Sequence, residues 1–330
     1  MSKPMLISTS IRTRSFLKLT TYALAAASLG NFSALAQDGT LRIIVPYPAG
    51  GSTDLAARIV ANELQPRLGT TVVVENMVGA GGRLAMQNIK RMPADANVLV
   101  IANPALITVA PLVYKTNGYE PDADFQAVSQ VTSYEFGIAV GAAVPVREFG
   151  HMIAWIKANP DKANIGVPAT GSLPHFFALM VNKATATQTP VVGYKGSAPL
   201  NTDLMGGHVP VAIDTLDTLL PYHQSGKIKI LATSGEKRAN AAIPTLKESG
   251  FNTAATGWNV LFAKSTMPAD KAARIAKEIT AIMQLPAVRE KFVAAKSDPV
   301  ASTQAQTKAM LASFKAQWQP VIAQSGLKFD

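Results

Sequence analysis

LRIIVPYPAGGSTDLAARIVANELQPRLG, residues 41–69, reads as strand, glycine turn and helix. Leu41, Ile43, Ile44 and Val45 form a short apolar run of the kind a buried strand needs. Pro46, Pro48, Gly50 and Gly51 end it, because prolines and paired glycines mark turns. Ser52, Thr53 and Asp54 supply N-cap chemistry. Leu55, Ile59, Val60, Leu64 and Leu68 then recur at helical spacing. Gly69 stands where a left-handed residue closes a helix. Pro66 predicts an end or kink near Gln65. A helix that opens on such a turn leaves its first amide N–H groups unpaired. Their partial positive charge favours an anion by about 0.3–1 kcal/mol. The turn is therefore a candidate carboxylate or phosphate site. The competing reading is a purely structural strand–helix turn.

Before this unit, residues 1–36 read as a secretion signal that is removed. Lys3, Arg12, Arg14 and Lys18 make a basic start, and an alanine-rich apolar run follows over residues 19–29. Ala34-Leu35-Ala36 is a small-residue cleavage site. The run is shorter than the roughly 20 residues that span a bilayer, and no later segment is long enough either. The chain has no cysteine, which excludes disulfides, thiolate catalysis and cysteine metal sites. Its formal charge is +10, of which four positive charges lie in the signal, leaving +6. Charged residues make up 16%, below the roughly 25% of an average domain. The basic residues are scattered, with no run like a nucleic-acid arm. A mildly basic exported chain fits a small anionic ligand better than DNA.

Further along, residues 70–89 give a second strand at 72–74, a glycine loop and a helix from about Arg83. Leu84 occupies the third glycine position of GxGxxG, and there is no GxxxxGK[ST], so no nucleotide motif is complete. A third strand covers residues 97–102. The βαβαβ order predicts a parallel sheet with crossover helices. Residues 128–145 are strand-like, and a helix follows over residues 146–158. ANIGVPATGSLPHFFALMVNKAT, residues 163–185, repeats the opening arrangement: a short strand, then Thr170-Gly171-Ser172, with Ser172 as N-cap and Pro174 in the first turn. A second anion-ready helix start thus appears, and the two would face each other across a cleft. Residues 189–215 read as strand, Tyr194-Lys195-Gly196-Ser197 turn, helix and strand. Strands follow at 228–233 and 257–262, then helices at 269–283, 287–295 and 304–325, the last with a break expected at Pro320.

His151, His175, His208 and His223 are isolated, without HxxxH or HxH spacing, so a zinc site is not predicted. No GxSxG elbow exists, since Asp54 stands where a glycine would be needed after Ser52. His175 is either a cleft-side donor or a capping histidine. Asp54 either complements the helix dipole, or fixes the turn or orients water. Lys195 is a candidate partner for a second carboxylate, against an ordinary exposed lysine. Tyr47 and Tyr194 offer aromatic walls or hydroxyl donors, against packing beneath their turns. Asp214 lies at the ligand edge of a strand or caps the next helix.

Six motifs carry a resemblance: VPYPAGGSTD (45–54), VVVENMVGAGG (72–82), ATGSLPH (169–175), YKGSAP (194–199), LATSGEKR (231–238) and GWNVLFA (257–263). In this order they resemble the Bug family of extracytoplasmic solute receptors, the binding components of tripartite tricarboxylate transporters. Two departures stand out: Met77 where the family commonly has arginine, and MPADANVLV (92–100) in place of an Asp-Gly-Tyr-type turn. The resemblance implies an α/β two-lobe clamshell, each lobe a mostly parallel sheet flanked by helices. The lobes would comprise residues 37–139 with 258–330, and residues 140–257. It implies that a ligand carboxylate is held by Tyr47, Ala49, Gly50, Gly51, Ser52, Thr53 and Asp54 and by Thr170, Gly171, Ser172 and His175. Asn103, Tyr194, Lys195 and Asp214 would line the cleft. It further implies a monomeric periplasmic receptor for a small carboxylate, working with integral-membrane transporter subunits, without catalysis, cofactor, metal or nucleic acid. A receptor that reports its ligand to a sensor protein and does not feed transport would carry the same sequence. A secreted hydrolase of carboxylate esters or amides would need a nucleophile with a base in reach.

Overall fold

A single strand, Phe125–Val140 (β4), decides how the rest of the chain is arranged. The computed structural model describes residues 39–141, 144–295 and 297–330; the signal segment read at 1–36 lies outside them. Strands Leu41–Val45 (β1), Val72–Asn76 (β2) and Val98–Ala102 (β3) pair in parallel in the order β2-β1-β3. Helices Ser52–Leu68 (α1) and Arg83–Arg91 (α2) make the crossovers, so the βαβαβ expectation holds. Short helices Ala110–Val113 (α3) and Pro121–Asp124 (α4) lead into β4.

Beyond β4 come helix Phe149–Ala158 (α5), strand Ile165–Val167 (β5), helix Leu173–Thr185 (α6) and strand Val191–Gly193 (β6). Then follow helix Ser197–Gly206 (α7), strand Val211–Thr215 (β7), helix Leu216–Gln224 (α8) and strand Lys229–Thr233 (β8). Here β5 pairs in parallel with β6 and with β7. Strand Thr256–Lys264 (β9) returns to the first group, antiparallel to β3. The chain closes with helices Ala269–Gln284 (α9) and Pro286–Ala294 (α10), the short strand Asp298–Pro299 (β10) and helix Gln304–Gln324 (α11).

β4 belongs to both groups. Its first part, Phe125 to Glu135, is antiparallel to β9. Its last part, Phe136 to Val140, lies between β7 and β8, antiparallel to each. Register shifts at Ala127/Ser129 and Gln130/Thr132 mark bulges against β9, which bend and twist a strand this long.

The burial pattern follows from this layering. Both faces of the sheets are covered, so the strands read as apolar runs and not as alternations. Ile44, Val98 and Val100 share one core with Phe136, Ile138, Val211 and Ile213, a continuous face under both strand groups. Ile43, Val45, Leu99 and Ile101 point the other way, onto Val60, Leu64, Ile275 and Ile279. Ala139 and Ala212 meet Leu200, Leu204 and Leu219 on the opposite face of the second group.

Several local expectations change. α1 runs through Pro66 to Leu68, and the Gly69 N–H, at φ 67°, closes it on Gln65 O at 3.1 Å. So near the end, the proline costs little of the ladder. α11 likewise runs unbroken through Pro320. Leu55 is exposed, because α1 buries Ala56, Ala57, Val60, Ala61 and Leu64 instead. Small residues on that face let the helix lie close to the sheet. α5 starts at Phe149 and not at residue 146.

α11 packs along β4 and touches both α3 and α6. Trp318 stacks on Phe314 (centroids 5.3 Å apart) and meets Phe136 edge-on at 6.3 Å. It is fully buried, and its indole Nε1 has no hydrogen-bond partner. Trp318→Ala is expected to cost about 3–5 kcal/mol in denaturant unfolding. Trp318→Phe should cost well under half of that, since the indole N–H has no bond to lose. Equal losses for the two variants would contradict this packing.

Candidate functional site

The register of β4 fixes where a ligand fits. Ala102 at the end of β3 lies opposite Val260, and Val260 lies opposite Gln130. Thr215 at the end of β7 lies opposite Phe136. The carboxyl ends of β3 and β7 therefore approach the same short stretch of β4 from opposite directions. Ligands of open α/β sheets bind at such carboxyl edges.

A cavity of about 810 Å³ occupies that place, within the roughly 300–1,000 Å³ range of small-molecule sites. Its floor is Thr132, Ser133, Tyr134 and Glu135 of β4 with Asn259 of β9. Ser52, Thr53 and Asn103 come from the first strand group, and Thr215, Leu216 and Asp217 from the second. Lys237, Arg238 and Asn240 after β8, and Ser297 and Asp298 near β10, complete the rim. No histidine is among these lining residues.

The floor is cross-linked. Thr53 Oγ1 donates to Asn259 Oδ1 at 3.3 Å, and Asn259 Nδ2 donates to Thr132 Oγ1 at 2.9 Å. Asn103 Oδ1 accepts from the Ala105 N–H at 3.0 Å, closing the turn after β3. Two helices begin at the cavity. Gly51 caps α1 and Thr215 caps α8, and neither start carries a side-chain cap bond. Their leading amides are available to an anion.

The residues expected from sequence separate into two sets. Ser52, Thr53 and Asn103 line the cavity. Ala49, Gly50 and Gly51 lie exposed on the turn leading into it. Tyr47 is half-buried; its hydroxyl is enclosed and burial pushes its pKa up. Thr170, Gly171, Ser172, His175, Tyr194 and Lys195 are not among the lining residues. The strand order β4-β7-β5-β6 explains this, since β7 and not β5 neighbours β4. The α6 start is also internally satisfied: the His175 N–H donates to Ser172 Oγ at 3.4 Å, and the Gly171 N–H to His175 Nδ1 at 3.1 Å. His175 is buried, which lowers its pKa and keeps the ring neutral. Tyr194 donates to Asp203 Oδ2 at 2.9 Å; burial first, then that carboxylate, pushes its pKa up to about 12. Lys195 is exposed. Asp214 does not cap α8; it is 2% exposed, its Oδ1 accepts the Thr215 N–H at 2.7 Å, and Oδ2 is unpartnered. Burial raises its pKa.

Sequence reasoning missed Thr132, Glu135, Thr215 and Asn259. Their roles depend on which strands become neighbours, and only the motif GWNVLFA around Asn259 gave a signal.

Asp54 shapes the first turn. Its Oδ2 accepts the Gly50 N–H at 2.9 Å and Arg58 Nε at 2.9 Å, and Oδ1 accepts Asn76 Nδ2 at 2.9 Å. Burial alone would raise this carboxyl; the Arg58, Gly50 and Asn76 bonds outweigh it and hold the pKa at about 2. The side chain is 2% exposed, so the shift from about 3.9 in the unfolded chain corresponds to about 2.6 kcal/mol at neutral pH. A depressed carboxyl stabilises above its unfolded pKa and loses that effect as pH falls toward its folded value. Asp54→Asn should therefore lower stability by about 2.6 kcal/mol at pH 7 in urea unfolding, with the deficit shrinking to about half near pH 3. A deficit independent of pH would contradict the assignment.

Residues 56–327 match the sequence pattern of the tripartite tricarboxylate transporter family receptor. Protein BugT of Bordetella pertussis is 30% identical over 292 residues, covering 87% of this chain and 90% of that protein. A structure from R. palustris solved with adipate superposes with a TM-score of 0.75 at 27% identity, covering 88% of this chain and 98% of that one. The periplasmic binding protein BugD gives a TM-score of 0.70 at 27% identity, with 88% and 98% covered. The fold is that of a two-lobe periplasmic binding protein. With a match over most of its length, the chain belongs to the tripartite tricarboxylate transporter receptor family, whose members are solute receptors and not enzymes.

Proposed function

We propose that the protein is a periplasmic receptor that captures a small carboxylate between its lobes and delivers it to the membrane subunits of a tripartite transporter. The observation that carries this is the pair of helix starts, α1 and α8, opening without side-chain caps on one cavity lined by hydroxyls and amides. Such groups hold an anion by dipoles and hydrogen bonds and leave it chemically unchanged. The family and the adipate found in the R. palustris relative support the ligand class. Residues 1–36 export the chain, which acts as a monomer.

One carboxylate sits on the turn 47–54, at the amides after Gly51, with Asn103 beside it. The other end of the ligand faces the carboxyl edge of the second lobe. Thr215 is nearest the cavity there, and Thr170, Gly171, Ser172, His175, Tyr194, Lys195 and Asp214 extend the same edge outward. The lobes are residues 37–139 with 258–330, and residues 140–257. The change of β4 partners between Glu135 and Phe136, and the return of the chain at Thr256, support boundaries close to these.

Hydrogen bonds to a charged group contribute about 1.5–3 kcal/mol each. The costs of association and ordering offset much of that, which suits reversible capture. The test is thermal unfolding of the mature protein with a panel of mono-, di- and tricarboxylates, adipate included. A bound acid at about 100 times its Kd adds about 2.7 kcal/mol and raises Tm by several degrees. A Tm unmoved by every acid in the panel would contradict the reading.

A further inference from the structure

Glu135 is the last residue of β4 paired with β9, opposite Thr256; Phe136 after it pairs with β7. The residue lines the cavity. Oε2 is buried and has no hydrogen-bond partner. Oε1 lies so close to the backbone of Gly235 that a Cβ added there would stand 2.0 Å from it. A side chain at that point of the LATSGEKR segment would displace the Glu135 carboxyl, so the contact ties the crossing strand to the chain that leaves β8.

Two acids and two basic side chains stand around this carboxyl. Asp298 of β10 lies beside it, held by Ser133 Oγ at 2.9 Å. Asp217, in the first turn of α8, lines the same cavity. From the segment after β8 come Lys237 and Arg238; Arg238 Nε is already bound to Glu248 Oε2 at 2.8 Å. β9 contributes the uncharged Thr256 and Asn259. A sealed carboxylate oxygen with no donor, next to another acid, has one inexpensive remedy: a proton.

We propose that Glu135 is a proton site of the receptor: when an anion enters the cavity, Glu135 takes up a proton, so capture strengthens as pH falls from alkaline to mildly acidic. The proposal rests on the reading of the cavity as a carboxylate site and adds its regulation. Burial first, then the charge of Asp298, holds the Glu135 carboxyl up at about 6; the Thr233 hydroxyl and Gly235 amide offset only part of this. A bound anion adds one more like charge and pushes the carboxyl higher still. The sign follows from linkage. With a higher pKa in the complex than in the free receptor, protons are taken up on binding. Affinity is then greatest at and below the free value and falls as pH rises through the interval between the two.

Two measurements test this. The first is the carboxyl titration of Glu135 in the ligand-free protein, read by infrared difference between wild type and Glu135→Gln. A midpoint well above the ordinary glutamate value of about 4.3 supports the proposal, and an ordinary midpoint overturns it. Asp298→Asn should move the midpoint down, and it serves as the readout if Glu135→Gln does not fold. The second is calorimetric titration with adipate at pH 5.5 and pH 7.5. Wild type should bind about five- to tenfold more weakly at the higher pH, for a rise of about one pKa unit on binding, with proton uptake visible in buffers of different ionisation heat. Glu135→Gln, locked in the uncharged form, should lose that dependence; an equal dependence in both proteins overturns the proposal. Failure of adipate to bind at either pH would count against the carboxylate reading, and the ligand-free titration would then decide the proton site by itself.

Discussion

The structure depends on one change of hydrogen-bond partners. Between Glu135 and Phe136 the strand β4 stops pairing with β9 and starts pairing with β7 and β8. Backbone groups in a buried strand must be paired, so the two halves of β4 recruit separate sets of strands. The carboxyl ends of β3 and β7 are thereby aimed at the same few residues. Everything the cavity offers is a consequence: the helix starts after Gly51 and Thr215, the hydroxyl floor, and a carboxyl at the joint.

That cavity joins fixed dipoles and neutral donors to a few charged side chains: Glu135, Asp217, Asp298, Lys237 and Arg238. The carboxylate of the first turn, Asp54, is not among the lining residues and is committed to Gly50, Arg58 and Asn76. It holds the turn in shape while the amides beyond it stay open. Arg238, the guanidinium on the rim, is bound to Glu248. An anion held this way keeps its charge compensated without a tight ion pair. That suits a receptor, which must release what it binds.

Parts of this were legible in the sequence because their causes are local. Glycines and prolines after an apolar run foretold the β1 turn and α1, and Ser172 read as a cap because serine oxygens satisfy the first amides of a helix. Residues 128–145 read as a strand, but nothing local says that one strand serves two sheets. The neighbour of β4 is chosen by packing over long sequence separations. That is why the α6 start, alike in motif to the α1 start, carries a sequence signal, while the α8 start beside β4 carries none. The Thr53–Asn259–Thr132 link joins residues far apart in the chain and had no sequence signal of its own. Pro66 and Pro320 were overread: each falls near the end of a helix, where tertiary packing outweighs one lost hydrogen bond.

The most direct test of the central claim is a crystal structure of the mature protein with a bound dicarboxylate such as adipate. The account predicts a carboxylate oxygen within about 3 Å of the backbone nitrogen of Ser52 or Thr53, with the remainder of the molecule reaching toward Thr215. A dicarboxylate held elsewhere, with the amides at the start of α1 facing only solvent, would contradict it.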